Sequence, residues 1–425
     1  MSDLNRLSAT DAAHKLATRA ITAAALLNDC IERIRERESV VHAWTHLALD
    51  EAMQRARELD ARPVSGLLHG LPIAVKDLFD TFDMPTGYGS PIYAGHRPAS
   101  DAASVALARA AGAIVVGKTV TTEFATFHPG PTCNPHDARH TPGGSSSGSA
   151  AAVADWMVPL ALGTQTAGSI VRPAAYCGAV GYKPTFGTIC RVGVKLISDT
   201  LDTVGGFARS VPDVALFAAA LSGRDELAIS RATSDAPRIG VCRTFEWDRA
   251  RPETTTLFDD VGKRLRASGT NVRDVTLPAD FAGLAAAQVT IMVRDVAQSL
   301  SYERLVRRDA LSAEMITMID AGLAVSPAQY DNARSLATRC RAMLPQVFEG
   351  LDVLVAPSAP GEAPAGIGAT GDPLFNRMWT LLHVPCVHVP IARGPGGLPL
   401  GVTVVGPIGR DRETLLGADW IHARF

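Results

Sequence analysis

The sequence predicts an α/β protein with a mixed or parallel sheet. Short apolar runs bounded by Gly or Pro alternate with Ala-rich helical stretches over most of the 425 residues. Hydrophobic residues make up 47% and charged residues 20%, which is typical of a globular chain. This length allows one large domain or two. Because the Gly- and Pro-rich strand texture before residue 223 returns after 351, we expect a single domain over 1–425.

Within that domain we expect a Gly/Ser-rich core at about 60–223, a helical lobe at about 224–350 and a return to the core at 351–425. The first 60 residues are predicted to be helical, with Thr22 as a helix cap. The expected strands are Pro72–Lys76, Ala113–Gly117, Pro159–Leu162, Val204–Ala208, Arg238–Cys242, Val353–Ala356, Val387–Pro390 and Leu400–Val405. The main helices are expected at Asp101–Gly112, Val211–Ser222, Thr254–Ala267 and Ala328–Phe348.

Charge and composition exclude several classes of function. A net charge of −2 provides no basic excess for nucleic acid. The chain shows neither a secretory signal nor 18 consecutive apolar residues, so we expect a cytoplasmic protein that does not enter membranes. The seven cysteines are scattered without C-x-x-C spacing, which argues against a zinc site. His136 and His140 lie in a loop flanked by prolines, and we expect no metal and no cofactor.

The stretch from His140 to Ala150 is dense in Gly and Ser and admits three interpretations. A flexible linker would be flanked by polar sequence, but this stretch runs into an apolar segment. A phosphate-binding loop would need a lysine that this region lacks. The pattern Gly144–Gly148 also matches the nucleophile elbow formally, yet no strand precedes it. A serine loop of another kind remains.

A second cluster surrounds Ser169, where an apolar run ends in Gly163 and further small residues. A serine on such a tight turn would be accompanied by consecutive backbone N–H groups from Thr166 onward. Those groups could converge on one point and stabilise an oxyanion. An ordinary strand–turn connection would give the same local pattern, so this cluster alone does not distinguish a catalytic serine turn from a structural one.

Several ordered motifs together resemble the amidase signature family. They are Pro72-Ile73-Ala74-Val75-Lys76-Asp77, Gly112–Thr119, Asn134-Pro135, Gly143-Gly144-Ser145-Ser146, Ser169 at 24 residues beyond Ser145, Cys177-Gly178 with Lys183-Pro184-Thr185, and Gly397–Gly401. The resemblance covers roughly residues 20–425. It implies an amidase-signature fold, in which a mixed β-sheet core is sandwiched between helices with an inserted helical lobe.

The resemblance also implies roles for individual residues. Ser169 would attack an amide carbonyl, Ser145 would bridge after a cis peptide bond, and Lys76 would be the base. Thr166, Ala167 and Gly168 would form the oxyanion hole. A lysine that accepts a proton must be neutral, and the apolar residues just before Lys76 would lower its pKa by desolvation.

The chain departs from the usual family pattern at Gln165, where Asp is common, at Ala167, where Gly is common, and at Arg172. Within the family this variant pattern is similar to that of bacterial malonamidases, whose substrate is a malonic acid amide. The resemblance implies a small, carboxylate-bearing amide held by Arg172, with Thr164 and Ser146 as further polar contacts. Arg172 could equally pair with a structural carboxylate.

The resemblance leaves a second function open. The family also includes the ammonia-generating component of a tRNA-dependent amidotransferase, which works only with protein partners. For the chain itself we expect a small amide substrate, no nucleic acid, no membrane and a possible homodimer.

Overall fold

A mixed β-sheet forms the centre of the molecule in the computed structural model, which describes residues 3–229 and 235–425. Within these residues the strands are β1 (Trp44–Leu47), β2 (Pro72–Lys76), β3 (Ile114–Thr119), β4 (Leu160–Gln165), β5 (Val180–Lys183), β6 (Thr203–Ala208), β7 (Ile239–Cys242), β8 (Val272–Val275), β9 (Val353–Pro357), β10 (Cys386–Arg393) and β11 (Pro399–Val405). Their order across the sheet is β1-β3-β2-β4-β6-β5-β10-β11-β9-β7-β8.

Parallel and antiparallel pairs alternate in blocks along this sheet. The pairs β2–β3, β2–β4, β7–β8 and β7–β9 are parallel. The remaining neighbours, from β4–β6 through β9–β11 and at the β1 edge, are antiparallel. All residues of β2, β3 and β4 are buried, and successive side chains of a strand point to opposite faces. Both faces of this part of the sheet are therefore covered, which confirms the predicted α/β class.

The helices pack around this sheet. Those described are α1 (Ala9–Ala17), α2 (Ala23–Val41), α3 (Leu49–Asp60), α4 (Ala103–Ala110), α5 (Ser147–Ala154), α6 (Val171–Cys177), α7 (Val211–Ser222), α8 (Pro252–Ala267), α9 (Leu284–Ser299), α10 (Ser301–Val306), α11 (Ala313–Ala324), α12 (Pro327–Val347), α13 (Leu374–Leu381) and α14 (Asp411–His422). Two of them, α5 and α6, are buried at every residue.

Local sequence explains several of these boundaries. Thr22 caps α2 by accepting a hydrogen bond from the backbone N–H of Ala25, as predicted. The helix α7 begins after Ser210, whose hydroxyl accepts from the N–H of Asp213, and it ends at Gly223 with φ +67°. A left-handed glycine at this position is a common helix stop.

The parallel strands β2 and β4 bring two distant motifs to one edge of the sheet. Ile73 lies opposite Leu160, and Ala74 lies opposite Ala161. Because the strands run in the same direction, Lys76 and Thr164 both emerge at their carboxyl ends. The Gly/Ser-rich turn before α5 and the turn before α6 approach the same edge.

Two expectations were wrong in part. The first 60 residues are not all helical, because β1 lies between α2 and α3 and pairs with β3. In the segment at about 224–350 the predicted strand Arg238–Cys242 is present as β7, but β8 was not predicted, and the two strands extend the sheet beside β9. Only the part from about 279 to 347 forms a helical lobe, built on α9–α12. Part of the segment, residues 230–234, lies outside the described residues.

Candidate active site

Lys76 is the last residue of β2 and is fully buried. Its Nζ donates to Ser145 Oγ and to Thr164 Oγ1, each at 2.8 Å. Burial holds the pKa of Lys76 well below its usual value, although the nearby charge of Asp202 opposes that shift. The apolar strand residues before Lys76 supply the desolvation, as the sequence indicated.

Ser145 lies in the turn between the buried Gly143 and the start of α5. The peptide bond between Gly144 and Ser145 is cis, the conformation that the family resemblance implies. Gly143 has φ +81°, and a Cβ there would lie 2.8 Å from Pro173 Cα, so a larger residue would not fit. The hydroxyl of Ser147 donates to Gly143 O at 2.8 Å and closes the turn.

The turn that carries Ser169 is anchored by its carbonyl groups. Gln288 Nε2 donates to Thr166 O at 3.0 Å, and Thr380 Oγ1 donates to Ala167 O at 2.7 Å. The N–H of Arg172 donates to Gly168 O at 2.8 Å.

These anchors fix the direction of the N–H groups in the same turn. A carbonyl and the following N–H belong to one planar trans peptide and point to opposite sides. Anchoring the carbonyls of Thr166, Ala167 and Gly168 on the protein side therefore turns the N–H groups of Ala167, Gly168 and Ser169 the other way. In the described part of the chain these three N–H groups have no protein acceptor. Preorganised donors of this kind suit an oxyanion.

Ser169 is the most exposed of the three predicted catalytic side chains, at 6%, whereas Lys76 and Ser145 are at 0%. Its hydroxyl has no hydrogen-bond partner within residues 3–229 and 235–425. The structure thus joins Lys76 directly to Ser145 and leaves the Ser169 hydroxyl free of protein partners.

Gln165, one of the departures from the family pattern, has a clear structural role. Its Oε1 accepts from the N–H groups of Ile170 at 2.8 Å and Val171 at 3.0 Å. Its Nε2 donates to Thr380 Oγ1 at 2.9 Å, the hydroxyl that anchors Ala167 O. The amide therefore fixes both sides of the Ser169 turn, and a carboxylate could not donate to Thr380 in this way.

Arg172 is 2% exposed and is bound by main-chain oxygens. Its NH2 donates to Gly144 O at 2.7 Å and to Thr370 Oγ1 at 3.1 Å, and its NH1 donates to Gly371 O at 2.7 Å. No ion pair joins it to a carboxylate in the described residues, and its Nε has no partner there. Burial lowers the pKa of Arg172 to about 10, so it stays charged at neutral pH.

The two other residues predicted to contact substrate have partners inside the protein. Thr164 accepts the second hydrogen bond of Lys76 through its hydroxyl. Ser146 donates to Thr164 O at 3.3 Å and is fully buried. The structure brings both residues beside Lys76, and their hydroxyl groups hold the site together.

Sequence reasoning missed three residues that hold the Ser169 turn. Gln288 lies on α9 in the helical lobe, Thr380 lies on α13, and Asp202 precedes β6. A glutamine on an Ala-rich helix and a threonine in a short helix of mixed composition carry no local signal of this role. Asp202 precedes a glycine-containing strand, and this position also gives no local sign of its contact with Thr166.

The structure gives no support for a metal site or for a membrane-spanning helix in the described residues. Among the described residues no three His, Cys, Asp or Glu side chains converge as metal ligands would. None of the helices in the described ranges is long and apolar enough to cross a bilayer.

Comparison with known proteins gives a consistent picture. A family profile described as Amidase matches residues 25–415. A relative from Acidothermus cellulolyticus, a glutamyl-tRNA(Gln) amidotransferase A-subunit, is 34% identical over 478 positions, covering 98% of this chain and 94% of the relative. A crystal structure described as an amidase superposes with a TM-score of 0.89 at 29% identity and covers 99% of this chain and 100% of its own.

Another solved structure is described as a vestigial protein complex that reveals the evolutionary origins of an s-triazine catabolic enzyme. It matches with a TM-score of 0.88 at 28% identity and covers 98% of both chains.

Proposed function

Because this chain belongs to the amidase signature family and has the fold of amidases, we propose that it hydrolyses a small carboxamide through an acyl-enzyme on Ser169. Lys76 is the base of this mechanism and Ser145 is the relay between Lys76 and Ser169. The observation that carries the proposal is the environment of the Lys76 side-chain nitrogen. This nitrogen is fully buried, contacts two hydroxyls and has no carboxylate within ion-pair distance in the described residues.

The first half of the reaction forms an ester. Ser169 Oγ attacks the amide carbonyl carbon and gives its proton to Ser145 Oγ, while Ser145 gives its own proton to neutral Lys76. The N–H groups of the Thr166–Ser169 turn bind the oxyanion of the tetrahedral intermediate. When the C–N bond breaks, the proton returns from Lys76 through Ser145 to the leaving nitrogen. Ammonia or an amine departs, and the acyl group remains on Ser169.

The second half consumes water. A water molecule attacks the ester carbonyl and passes one proton through Ser145 to Lys76. Collapse of the intermediate breaks the bond to Ser169 Oγ, which regains a proton from the same relay. The products are a carboxylic acid and the free enzyme.

A carboxylate on the substrate, as in malonamate, is supported by the charge of Arg172. This cation is buried, has no carboxylate partner in the described residues and retains an unpaired Nε. A buried cation without a counter-ion favours an anion close to it. The guanidinium would then hold the substrate and the Gly144 carbonyl together.

A second candidate is an ammonia-generating component similar to the A-subunit of the tRNA-dependent amidotransferase. The supporting observation is 34% identity to such a relative over nearly the whole of both chains. In that case the substrate amide is delivered in a complex with protein partners. The alignment with that relative is longer than this chain, so the relative has residues that this chain lacks.

The purified chain should be tested alone against malonamate, propionamide, glutamine and an aryl amide, with ammonia or amine release as the measurement. We expect turnover of a small amide, and we expect Ser169→Ala to abolish it. Ser222→Ala is the matched control, because in the part of the chain that the structure describes the Ser222 hydroxyl bonds only within α7. Wild-type turnover by Ser169→Ala would refute the mechanism. Turnover that requires added partner proteins would favour the amidotransferase alternative.

The same panel of amides distinguishes two roles for Arg172, substrate binding and positioning of the Ser145 turn. If Arg172 binds the substrate carboxylate in addition to Gly144 O, Arg172→Met raises KM for malonamate but not for propionamide, and any loss of kcat is shared by both amides. If Arg172 only positions the Ser145 turn through Gly144 O, the substitution lowers kcat for every amide. An equal loss on all substrates would therefore remove the carboxylate assignment.

A further inference from the structure

We propose that Asp202 is a positioning residue. It fixes the Thr166–Ser169 turn on the side opposite the free N–H groups and connects this turn to the helical lobe. This inference rests on the proposed function, in which that turn stabilises an oxyanion. Asp202 precedes β6, and the pairing of Gln165 with Thr203 brings it beside Thr166. It is 4% exposed.

The carboxylate of Asp202 is fully engaged by neutral donors. Its Oδ1 accepts a hydrogen bond from the hydroxyl of Thr166. Its Oδ2 accepts from the N–H of Ile197 at 2.7 Å and of Ser198 at 3.1 Å. Three hydrogen bonds to a buried carboxylate fix its position and, through Oδ1, fix the side chain of Thr166.

Thr166 is therefore held at two points. Asp202 binds its hydroxyl, and Gln288 of α9 binds its carbonyl oxygen at 3.0 Å. The Thr166 carbonyl shares its peptide plane with the N–H of Ala167. A residue whose side chain and carbonyl are both anchored cannot rotate that plane freely. The N–H of Ala167 is thus kept directed away from these anchors.

The helical lobe holds the other side of the same segment. Asp295 of α9 accepts through Oδ2 from Ser198 Oγ at 2.5 Å and from Thr200 Oγ1 at 3.0 Å. Tyr330 of α12 donates to Asp295 Oδ1 at 2.7 Å. Asp202 in the sheet region and Asp295 in the lobe are both buried, and both therefore bind the turn around Ser198.

Asp202 also acts on the base through its charge and not by contact, since Lys76 Nζ donates to Thr164 and the Asp202 carboxylate binds Thr166, two residues farther along the chain. The charges that act around it are Lys76 from β2 and Arg191, whose NH1 donates to the Asp202 main-chain oxygen at 3.3 Å. A negative charge favours the protonated form of a neighbouring lysine. Removing that charge should lower the pKa of Lys76 further, so the acidic limb of kcat/KM should move to lower pH.

The test uses the full-length chain and whichever amide of the panel it turns over. Thr166→Val removes the hydroxyl that Asp202 holds, and Thr166→Ser restores one. Asp202→Asn removes the charge while keeping an acceptor for the Ile197 and Ser198 N–H groups. Thr203→Val is the matched control, because among the described residues the buried Thr203 hydroxyl bonds only to Leu201 O, at 3.1 Å.

We expect Thr166→Val to lower kcat about tenfold, less than the loss from deleting an oxyanion donor, with KM within about twofold. Thr166→Ser and Thr203→Val should stay near the wild-type kcat. Asp202→Asn should lower kcat and move the acidic limb to lower pH, whereas Thr166→Val should leave that limb in place.

Wild-type kcat in Thr166→Val overturns the positioning role, even if Asp202→Asn fails to fold. An unmoved acidic limb in folded Asp202→Asn overturns the effect on Lys76. These outcomes are distinct from failure of the proposed function, in which Ser169→Ala would retain activity.

Discussion

Two buried lysines on adjacent strands of the sheet have opposite surroundings. Lys118 of β3 donates to Phe79 O at 2.8 Å and to Thr86 Oγ1 at 2.6 Å, and it lies 3.2 Å from Asp77 Oδ1. Within the described residues, Lys76 of β2 donates hydrogen bonds to two hydroxyls and to no carboxylate. Burial lowers the pKa of both lysines, but the shift is opposed at Lys118 by the adjacent carboxylate and is larger at Lys76.

The difference matches the proposed roles, in which Lys118 is a structural cation and Lys76 is a base. A carboxylate in contact keeps an ammonium charged, which suits a structural ion pair. Two hydroxyls satisfy the hydrogen-bonding needs of either protonation state, since each hydroxyl can donate or accept. Replacing each of the two lysines by methionine therefore tests this contrast.

The largest expected effect is on catalysis at Lys76. Lys76→Met should lower kcat by about 10⁴-fold or more, because the members of a catalytic relay act as a unit. The folded state should be retained, since no described carboxylate lies within ion-pair distance of Lys76 and none loses a contact partner in the variant. Ammonia release and a urea unfolding curve measure the two effects. A kcat within tenfold of the wild type would contradict the role of Lys76 as the base.

Lys118→Met should have the opposite result. It leaves the Asp77 carboxylate buried without its partner, so the free energy of unfolding should fall by about 3 kcal/mol. The kcat of the folded fraction should change only a few-fold. Urea unfolding followed by activity at a temperature where the variant is folded checks both statements. Strong loss of kcat with unchanged stability would reverse the comparison.

The smallest effect is on the pH dependence of stability. The pKa of Lys76 is lowered in the folded chain and is about 10.4 in the unfolded chain, so the unfolded state binds more protons between these values. Stability should therefore rise with pH in this window, by up to about 1.4 kcal/mol per pH unit. Urea unfolding from about pH 7.5 to about pH 9.5 should show this slope in wild type relative to Lys76→Met. Parallel curves for the two proteins would show that Lys76 stays protonated.

Much of the sheet was predictable because its strands are apolar runs bounded by Gly or Pro. The strand β1 was missed because it has four residues, follows directly on α2 and turns at His42 with φ +52° rather than at a glycine. The strand β8 is an edge strand with two exposed central residues, Arg273 and Asp274, and lacks the apolar pattern. Such strands are defined by their neighbours in the sheet, which local sequence does not contain.

The residues of the candidate site also fall into two groups, those with a local sequence signal and those without one. Lys76, Ser145 and Ser169 lie in dense local motifs at fixed spacing, so sequence could single them out. Gln288 and Thr380 hold the turn through side-chain hydrogen bonds to Thr166 and Ala167, residues 122 and 213 positions away. The role of such a residue depends on tertiary packing, and a single sequence gives no measure of it.

The bonds from Arg172 to Gly144 O and Gly371 O have a consequence for how the protein is made. Lys76, Ser145 and Ser169 are all synthesised in the first half of the chain. The clamp on the serine turn closes only after the ribosome has added Gly371, and Thr380 must follow before the Ala167 carbonyl is anchored. Under the proposed mechanism, a polypeptide that ends before Gly371 would contain all three proposed catalytic residues and lack the hydrogen bonds that fix their geometry.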